Sequence, residues 1–305
     1  MEFFSKWWIY QKERFPVFAH GTLIAAFSFS ALSYSYMLRD GEGWIGTVQV
    51  CVAFLTCFMF FLQLRIADEF KDFDDDFRYR PYRPVPRGLI TLKELGWLGV
   101  ITALIQLLLS FFLGMKFVFI LLVVWVYLAL MSKEFFVGEW LKAHPITYML
   151  SHMIIMPMID LYATACDWLE PLGSPPDGLH WFLIVSYFNG IVIEIGRKVR
   201  SPEDEEEGVD TYSFLWGRVQ ATYIWLGAVV LTALFAWIGA VRIGYGLPVL
   251  IVLLILLLAA SVISAIFVNK PLPGRGRWIE HFSGVWTLLM YLSLGAAPYV
   301  HSLLK

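Results

Sequence analysis

The chain has 305 residues, of which 59% are hydrophobic and 16% charged, with a formal net charge of −2. A soluble domain of this length carries about 25% charged residues, so the composition excludes an ordinary water-soluble fold and points to lipid. No nucleic-acid partner is expected, and the three cysteines, Cys51, Cys57 and Cys166, have neither metal-ligand spacing nor the numbers for a disulfide framework.

The first segment, MEFFSKWWIYQKERFP, is aromatic and amphipathic and has no signal-peptide cleavage pattern. It reads as a helix lying in the membrane interface. Beyond it, apolar stretches of the length that crosses a bilayer, about 20 residues, predict nine spans: 17–38, 44–66, 94–113, 116–131, 146–166, 179–196, 219–241, 247–268 and 281–302. The expected fold class is all-α, a polytopic membrane protein forming one domain over 1–305. With the N-terminus placed in the cytoplasm, only Arg39, Lys116, Arg242 and Lys305 of the 23 basic residues fall outside. By the positive-inside rule the chain is then N-in and C-out.

Two long polar loops, near 67–93 and 197–218, follow the second and sixth spans, which hints at a distant internal duplication. In the first, Asp68, Asp72 and Asp76 are spaced four apart. On a continuing helix they share a face, each about 6 Å along the axis from the next. Like charges stacked this way repel unless a cation sits among them. Mg²⁺ uses one or two carboxylates and completes its shell with water and substrate phosphates, so the array suits a metal–diphosphate complex. Arg80, Arg83 and Arg87 follow among three prolines, which predict an extended, stiff loop whose arginines offer forked donors to phosphate. Arg65 precedes the array.

The second loop brings Glu194, Arg197, Lys198 and Arg200 together before a glutamate-rich run at 203–207, read mostly as a solvated face. Asn189 and Gly190 lie just upstream, and Thr211-Tyr212-Ser213 is a candidate start for the seventh span. His152 and Asp160 are ionisable residues within the fifth span, where such groups are expensive and often functional. His152 is a candidate acceptor contact.

The string DEFKDFDDDFRYRPYRPVPRG resembles the first signature of the UbiA-type intramembrane prenyltransferases, NDxxDxxxD followed by RPxRPxPxG. Asp68 takes the family's Asn position, Glu69 the adjoining Asp, and Asp72 and Asp76 the other two. Arg80, Pro81, Arg83, Pro84, Pro86 and Gly88 match the trailing string. The resemblance implies a nine-span fold and gives this motif Mg²⁺ and a prenyl diphosphate. The family's second motif is DxxxD. Anchored on Gly208, Thr211 and Gly217, its second Asp falls on Asp204 and its first on Arg200, a departure from the pattern. Either Glu194 supplies the missing acid or this site holds diphosphate with more base and less metal. Tyr127 and Lys133, six residues apart, loosely resemble another family pairing.

The resemblance implies catalytic roles for Asp72, Asp76 and Asp204. It implies metal ligation by Asp68, Glu69, Asp72, Asp76, Glu194 and Asp204, and diphosphate binding by Arg65, Arg80, Arg83, Lys133, Arg197, Lys198 and Arg200. The function expected is Mg²⁺-dependent transfer of a prenyl group from a prenyl diphosphate to an aromatic or lipid acceptor. The setting expected is an inner or plasma membrane with the site loops cytoplasmic. A terpene cyclase of the same fold is the alternative, ahead of a transporter or a catalytically silent prenyl-lipid binder.

Overall fold

A computed structural model describes residues 3–304, and among these there are helices and turns but no strand. Helix α1 (Phe3–Arg14) is the interfacial segment. It lies on the molecule rather than only on lipid: Tyr10 packs with Ile66, Val85, Ile90 and Leu95 in a small core of its own, and Lys6 pairs with Glu94.

The spanning helices follow the apolar runs. They are α2 (Val17–Leu38), α3 (Thr47–Lys71), α5 (Leu92–Leu113) and α6 (Met115–Ser132), then α8 (Pro145–Met153) with α9 (Ile155–Trp168), α10 (Leu179–Arg197), α12 (Arg218–Arg242) and α13 (Gly246–Asn269). These make eight candidate spans by length and apolarity. The ninth expected span falls on α14 (Gly276–Tyr291) and α15 (Ala297–Leu303), joined by a π-helical turn over Leu292–Ala296. Short helices fill the loops: α4 (Phe73–Tyr79), α7 (Gly138–Ala143) and α11 (Tyr212–Trp216).

Both interruptions have local causes. Pro157 cannot donate to the carbonyl four residues back, and the helix is interrupted at Ile154, between α8 and α9. Pro298 has the same effect just beyond the π turn. At that turn Gly295 lies against the backbone of Ser30 in α2, where a Cβ would have no room. Helix α5 starts on a capping box, with the Glu94 N–H donating to Thr91 Oγ1 at 3.2 Å and the Thr91 N–H donating to Glu94 at 2.9 Å.

Helix α2 packs on α3, α9 and α14, while α10 packs on α9, α12 and α14. α5 and α6 flank α3, and α13 flanks α12. Large apolar side chains on the flanking helices, such as Leu104, Leu108, Phe111, Leu254 and Leu258, are exposed, as a bilayer requires. At the end of the bundle away from the polar loops, Arg39 reaches Asp167 at 2.7 Å and Ser35 donates to the same carboxylate at 2.7 Å. That fixes the start of the loop after α9. Cys51, Cys57 and Cys166 are free thiols.

Candidate active site

The acidic ladder runs across a soft break. α3 ends at Lys71 and α4 begins at Phe73, with Asp72 between them at φ −89° and ψ 7°. The i→i−4 pattern survives: the Asp72 N–H donates to the Asp68 carbonyl at 2.9 Å, and the Asp76 N–H to the Asp72 carbonyl at 2.8 Å. The three carboxylates therefore keep the shared face expected from their spacing, but their partners differ. Asp68 is 44% exposed and makes a long 3.5 Å contact with Arg65. Asp72 is half-buried. Burial, reinforced by Asp68 and Asp76, holds its carboxyl above the ordinary carboxylate range, against the pull of Lys71 and Lys198. Asp76 is buried between Arg80 at 2.9 Å and Arg83 at 2.5 Å. Glu69 points elsewhere, buried against Arg14 at 2.5 Å.

The proline-rich string is not extended. It folds into consecutive turns, with the Arg83 N–H on the Arg80 carbonyl and the Arg87 N–H on the Arg83 carbonyl, both at 3.0 Å, closed by Gly88 at φ +77°. The prolines exclude a regular helix, but a fixed φ near −65° suits turns as well as extended chain. The turn brings Arg80 and Arg83 back onto Asp76, while Arg87 reaches Glu13 at 2.8 Å.

On the opposing side, Glu194 is buried near the end of α10. Arg197 binds it at 2.5 Å and Lys198 at 3.1 Å. Lys198 also lies over the Tyr212 ring at 5.5 Å. Arg197 is in electrostatic reach of Asp68, as Lys198 is of Asp72, so the two polar loops meet at one end of the bundle. The rest of the second loop is tied elsewhere. Arg200 reaches Glu280 on α14 at 3.0 Å. Asp204 accepts from the Gly274 N–H at 2.7 Å, holding the α13–α14 turn. Glu205 accepts from Thr211 at 2.6 Å and Ser213 at 2.7 Å. Thr211 caps α11, a separate short helix before the seventh span. Lys133 is exposed at the end of α6.

Sequence reasoning did not single out three neighbours of the site. Lys71 pairs with Glu134 at 3.1 Å and also contacts the Tyr148 hydroxyl. Glu134, Phe135 and Phe136 stand at φ 49°, 52° and 60°. Non-glycine residues in this left-handed region are strained by about 1–3 kcal/mol each. The turn they make brings Glu134 to Lys71. Lys71 and Tyr148 did leave a signal, since one sits within the motif and the other lies one helical turn before His152.

Among the described residues no three His, Cys, Asp or Glu side chains group closely enough to hold a cation by themselves. Mg²⁺ bound jointly with phosphate needs only one or two protein carboxylates. Asp68 and Asp72 are a pair of hard oxygen donors four residues apart, one of them solvent-facing and the other held against like charge. This donor set fits Mg²⁺.

The fold recurs in solved structures. One, of a digeranylgeranylglyceryl phosphate synthase, superposes with a TM-score of 0.61 at 17% identity over 99% of this chain and 100% of that one. A UbiA homologue from Aeropyrum pernix K1 gives 0.70 at 13% identity over 93% of this chain and 98% of that one. A UbiA homologue from Archaeoglobus fulgidus bound to DMAPP and Mg²⁺ gives 0.53 at 13% identity, covering 92% of this chain and 99% of that one. No curated protein sequence matches the chain. The sequence model of the UbiA prenyltransferase family matches residues 25–283, from within α2 to within α14 and across both polar loops, and the chain belongs to that family.

Proposed function

We propose that this membrane prenyltransferase uses Mg²⁺ and transfers the prenyl group of a prenyl diphosphate to an aromatic or lipid acceptor. The observation that carries the reading is the meeting of Asp68 and Asp72 with Arg65, Arg197 and Lys198 at one end of an apolar bundle. The UbiA homologue that binds DMAPP and Mg²⁺ supports it.

Asp68 and Asp72 would hold the metal, which when bound supplies Lewis-acid neutralisation of charge on the departing diphosphate. Arg197 and Lys198, bound to Glu194, lie within electrostatic reach of Asp68 and Asp72, and Arg65 stands on the α3 side. Fixed cations stabilise negative charge where it develops. Deeper in the bundle Phe27 and Phe182 lie 4.9 and 5.8 Å from the Tyr291 ring, an apolar packing that keeps water out of the interior below the charged groups. In this reading Asp76 anchors Arg80 and Arg83, Glu194 orients Arg197 and Lys198, and Asp204 and Arg200 brace the second loop.

Purified protein incubated with Mg²⁺ and labelled prenyl diphosphates of several lengths, with and without phenolic and lipid acceptors, should form prenylated acceptor. Activity should vanish with EDTA. Diphosphate release giving cyclic hydrocarbon without acceptor would replace transfer by cyclisation. In the proposed orientation both polar loops face the cytoplasm, in an inner or plasma membrane. Cysteines introduced near positions 75 and 205 should then react with impermeant reagents only from that side, and labelling from outside would reverse the orientation.

A further inference from the structure

Beside the charged site stands a base that the diphosphate reading does not use. His152 lies in the last turn of α8 and is 7% exposed. Its Nδ1 is 2.8 Å from the Tyr148 carbonyl. A carbonyl only accepts, so that contact places the ring hydrogen on Nδ1 and leaves a lone pair on Nε2. Nε2 is buried and has no hydrogen-bond partner. Burying an acceptor without a partner costs about 1–3 kcal/mol, a cost that a bound donor would remove.

The ring is also held rigidly. Tyr148 stacks on it with centroids 4.0 Å apart and planes 9° apart. Phe135, carried by the left-handed turn, meets it edge-on at 5.8 Å and 89°. Lys71 Nζ lies 4.5 Å from the centroid of the Tyr148 ring. The charged groups in electrostatic reach of His152 are Lys71, Glu134, Glu194 and Asp68. The imidazole therefore borders the site without taking part in its ion pairs.

We propose that His152 Nε2 binds the acceptor substrate through a hydroxyl group and takes its proton during transfer. The inference rests on the transferase reading above and names the class of its acceptor, a hydroxyl-bearing amphiphile. As the bond from prenyl C1 to the diphosphate oxygen breaks, its electron pair leaves with the diphosphate. A lone pair of the acceptor oxygen forms the new bond to C1, and the hydroxyl proton passes to Nε2. No oxidant or further reactant is needed. Proton acceptance by a positioned side chain contributes about 10²–10⁴-fold to a rate.

The test uses the full-length protein in nanodiscs with farnesyl diphosphate, Mg²⁺ and four probes: 1-decanol, 4-hexylphenol and their O-methyl ethers. Wild type should prenylate the hydroxyl probes and not the ethers. His152→Gln keeps a hydrogen-bond acceptor but cannot take the proton. It should hold the Michaelis constant for the hydroxyl probe within about threefold while kcat falls about 10²–10⁴-fold. His152→Phe should lose both, with the dissociation constant for farnesyl diphosphate and Mg²⁺, read by calorimetry, unchanged. Wild-type kcat in His152→Gln would overturn the proton role. Lost farnesyl diphosphate binding in His152→Phe would move His152 to the donor site and overturn the proposal, leaving the transferase reading intact. Diphosphate release by wild type that neither hydroxyl probe accelerates would overturn the hydroxyl class. No diphosphate release under any condition would instead remove the transferase reading.

Discussion

Asp72 and Glu194 are carboxylates at the same end of the bundle, each at or near the end of a spanning helix that leads into a polar loop. Around Asp72 stand two more carboxylates, Asp68 and Asp76, and its nearest cations act only from a distance. Around Glu194 stand two directly bound cations, Arg197 and Lys198. On one side Asp72 stays open to a cation, and on the other Arg197 and Lys198 outnumber the acid they bind. A diphosphate with its metal is a ligand of mixed sign, and two walls of opposite sign can hold it where two acidic walls would need a second cation. Arg200, where the family's second motif has an acid, turns away from this division to Glu280. We propose that Arg197 and Lys198 are the cationic wall and that Asp68 and Asp72 are the acidic one.

Breaking the acidic wall should have the largest effect. Asp72→Ala removes a proposed metal ligand, and loss of one fixed group that stabilises developing charge typically costs about 10²–10³ in kcat. Relief of like charge means that Tm should be unchanged or slightly higher, and the Mg²⁺ concentration for half-maximal activity should rise. A variant with near-wild-type turnover at limiting Mg²⁺ would remove Asp72 from the metal site. Asp76 sharpens the contrast, because its carboxylate is already taken by Arg80 and Arg83. Asp76→Asn should raise the Michaelis constant for prenyl diphosphate by about 10–100-fold, the usual scale for losing a supporting shell, with the Mg²⁺ requirement unmoved. A shift in the Mg²⁺ requirement equal to that of Asp72→Ala would make Asp76 a ligand instead.

The cationic wall should fail differently. Glu194→Gln leaves Arg197 and Lys198 without their buried counter-charge. Breaking a fully buried pair costs about 3–5 kcal/mol and an exposed one under about 1. Because Arg197 is exposed and Lys198 partly so, a loss of about 1–3 kcal/mol in denaturant unfolding is expected. Turnover should fall less than in Asp72→Ala. A variant as stable as wild type would mean that the two cations do not depend on Glu194 for their placement.

The contrast also shows what sequence could and could not reveal. The apolar runs locate the spanning helices because lipid imposes their length. The break in the last span was invisible because Pro298 and Gly295 sit in an otherwise unbroken apolar run. The four-residue spacing put Asp68, Asp72 and Asp76 on one face, which the backbone preserves across Asp72. It could not say which of the three would be taken by arginines. That depends on a turn in which Arg83 returns to a residue seven positions back. Asp204 matched a motif register, yet its partner is the backbone of Gly274, seventy residues away and unmarked in sequence. Glu134 and Phe135 were hidden because nothing in their residue types announces a left-handed turn.

Arg200 carries the smallest expected effect and the finest distinction. Its register places it where the family has an acid, and its position beside Arg197 and Lys198 makes it look like a third member of the cationic wall. Its guanidinium is instead drawn to Glu280 on α14, with both side chains partly exposed. Its backbone N–H donates to Ser213 at 2.8 Å and keeps the loop in place whatever the side chain. Arg200→Asp should therefore lose a solvent-screened pair and set two carboxylates together, about 0.5–1.5 kcal/mol in all. The Michaelis constant for prenyl diphosphate should change by less than about threefold, because the group removed does not face the site. Glu280→Gln should reproduce most of the stability loss. A tenfold rise in that constant with Arg200→Asp, absent in Glu280→Gln, would mean that the guanidinium leaves Glu280 when diphosphate arrives. The cationic wall would then have three members, and the acid-to-base exchange at this position would act on the ligand directly and not through the brace to α14.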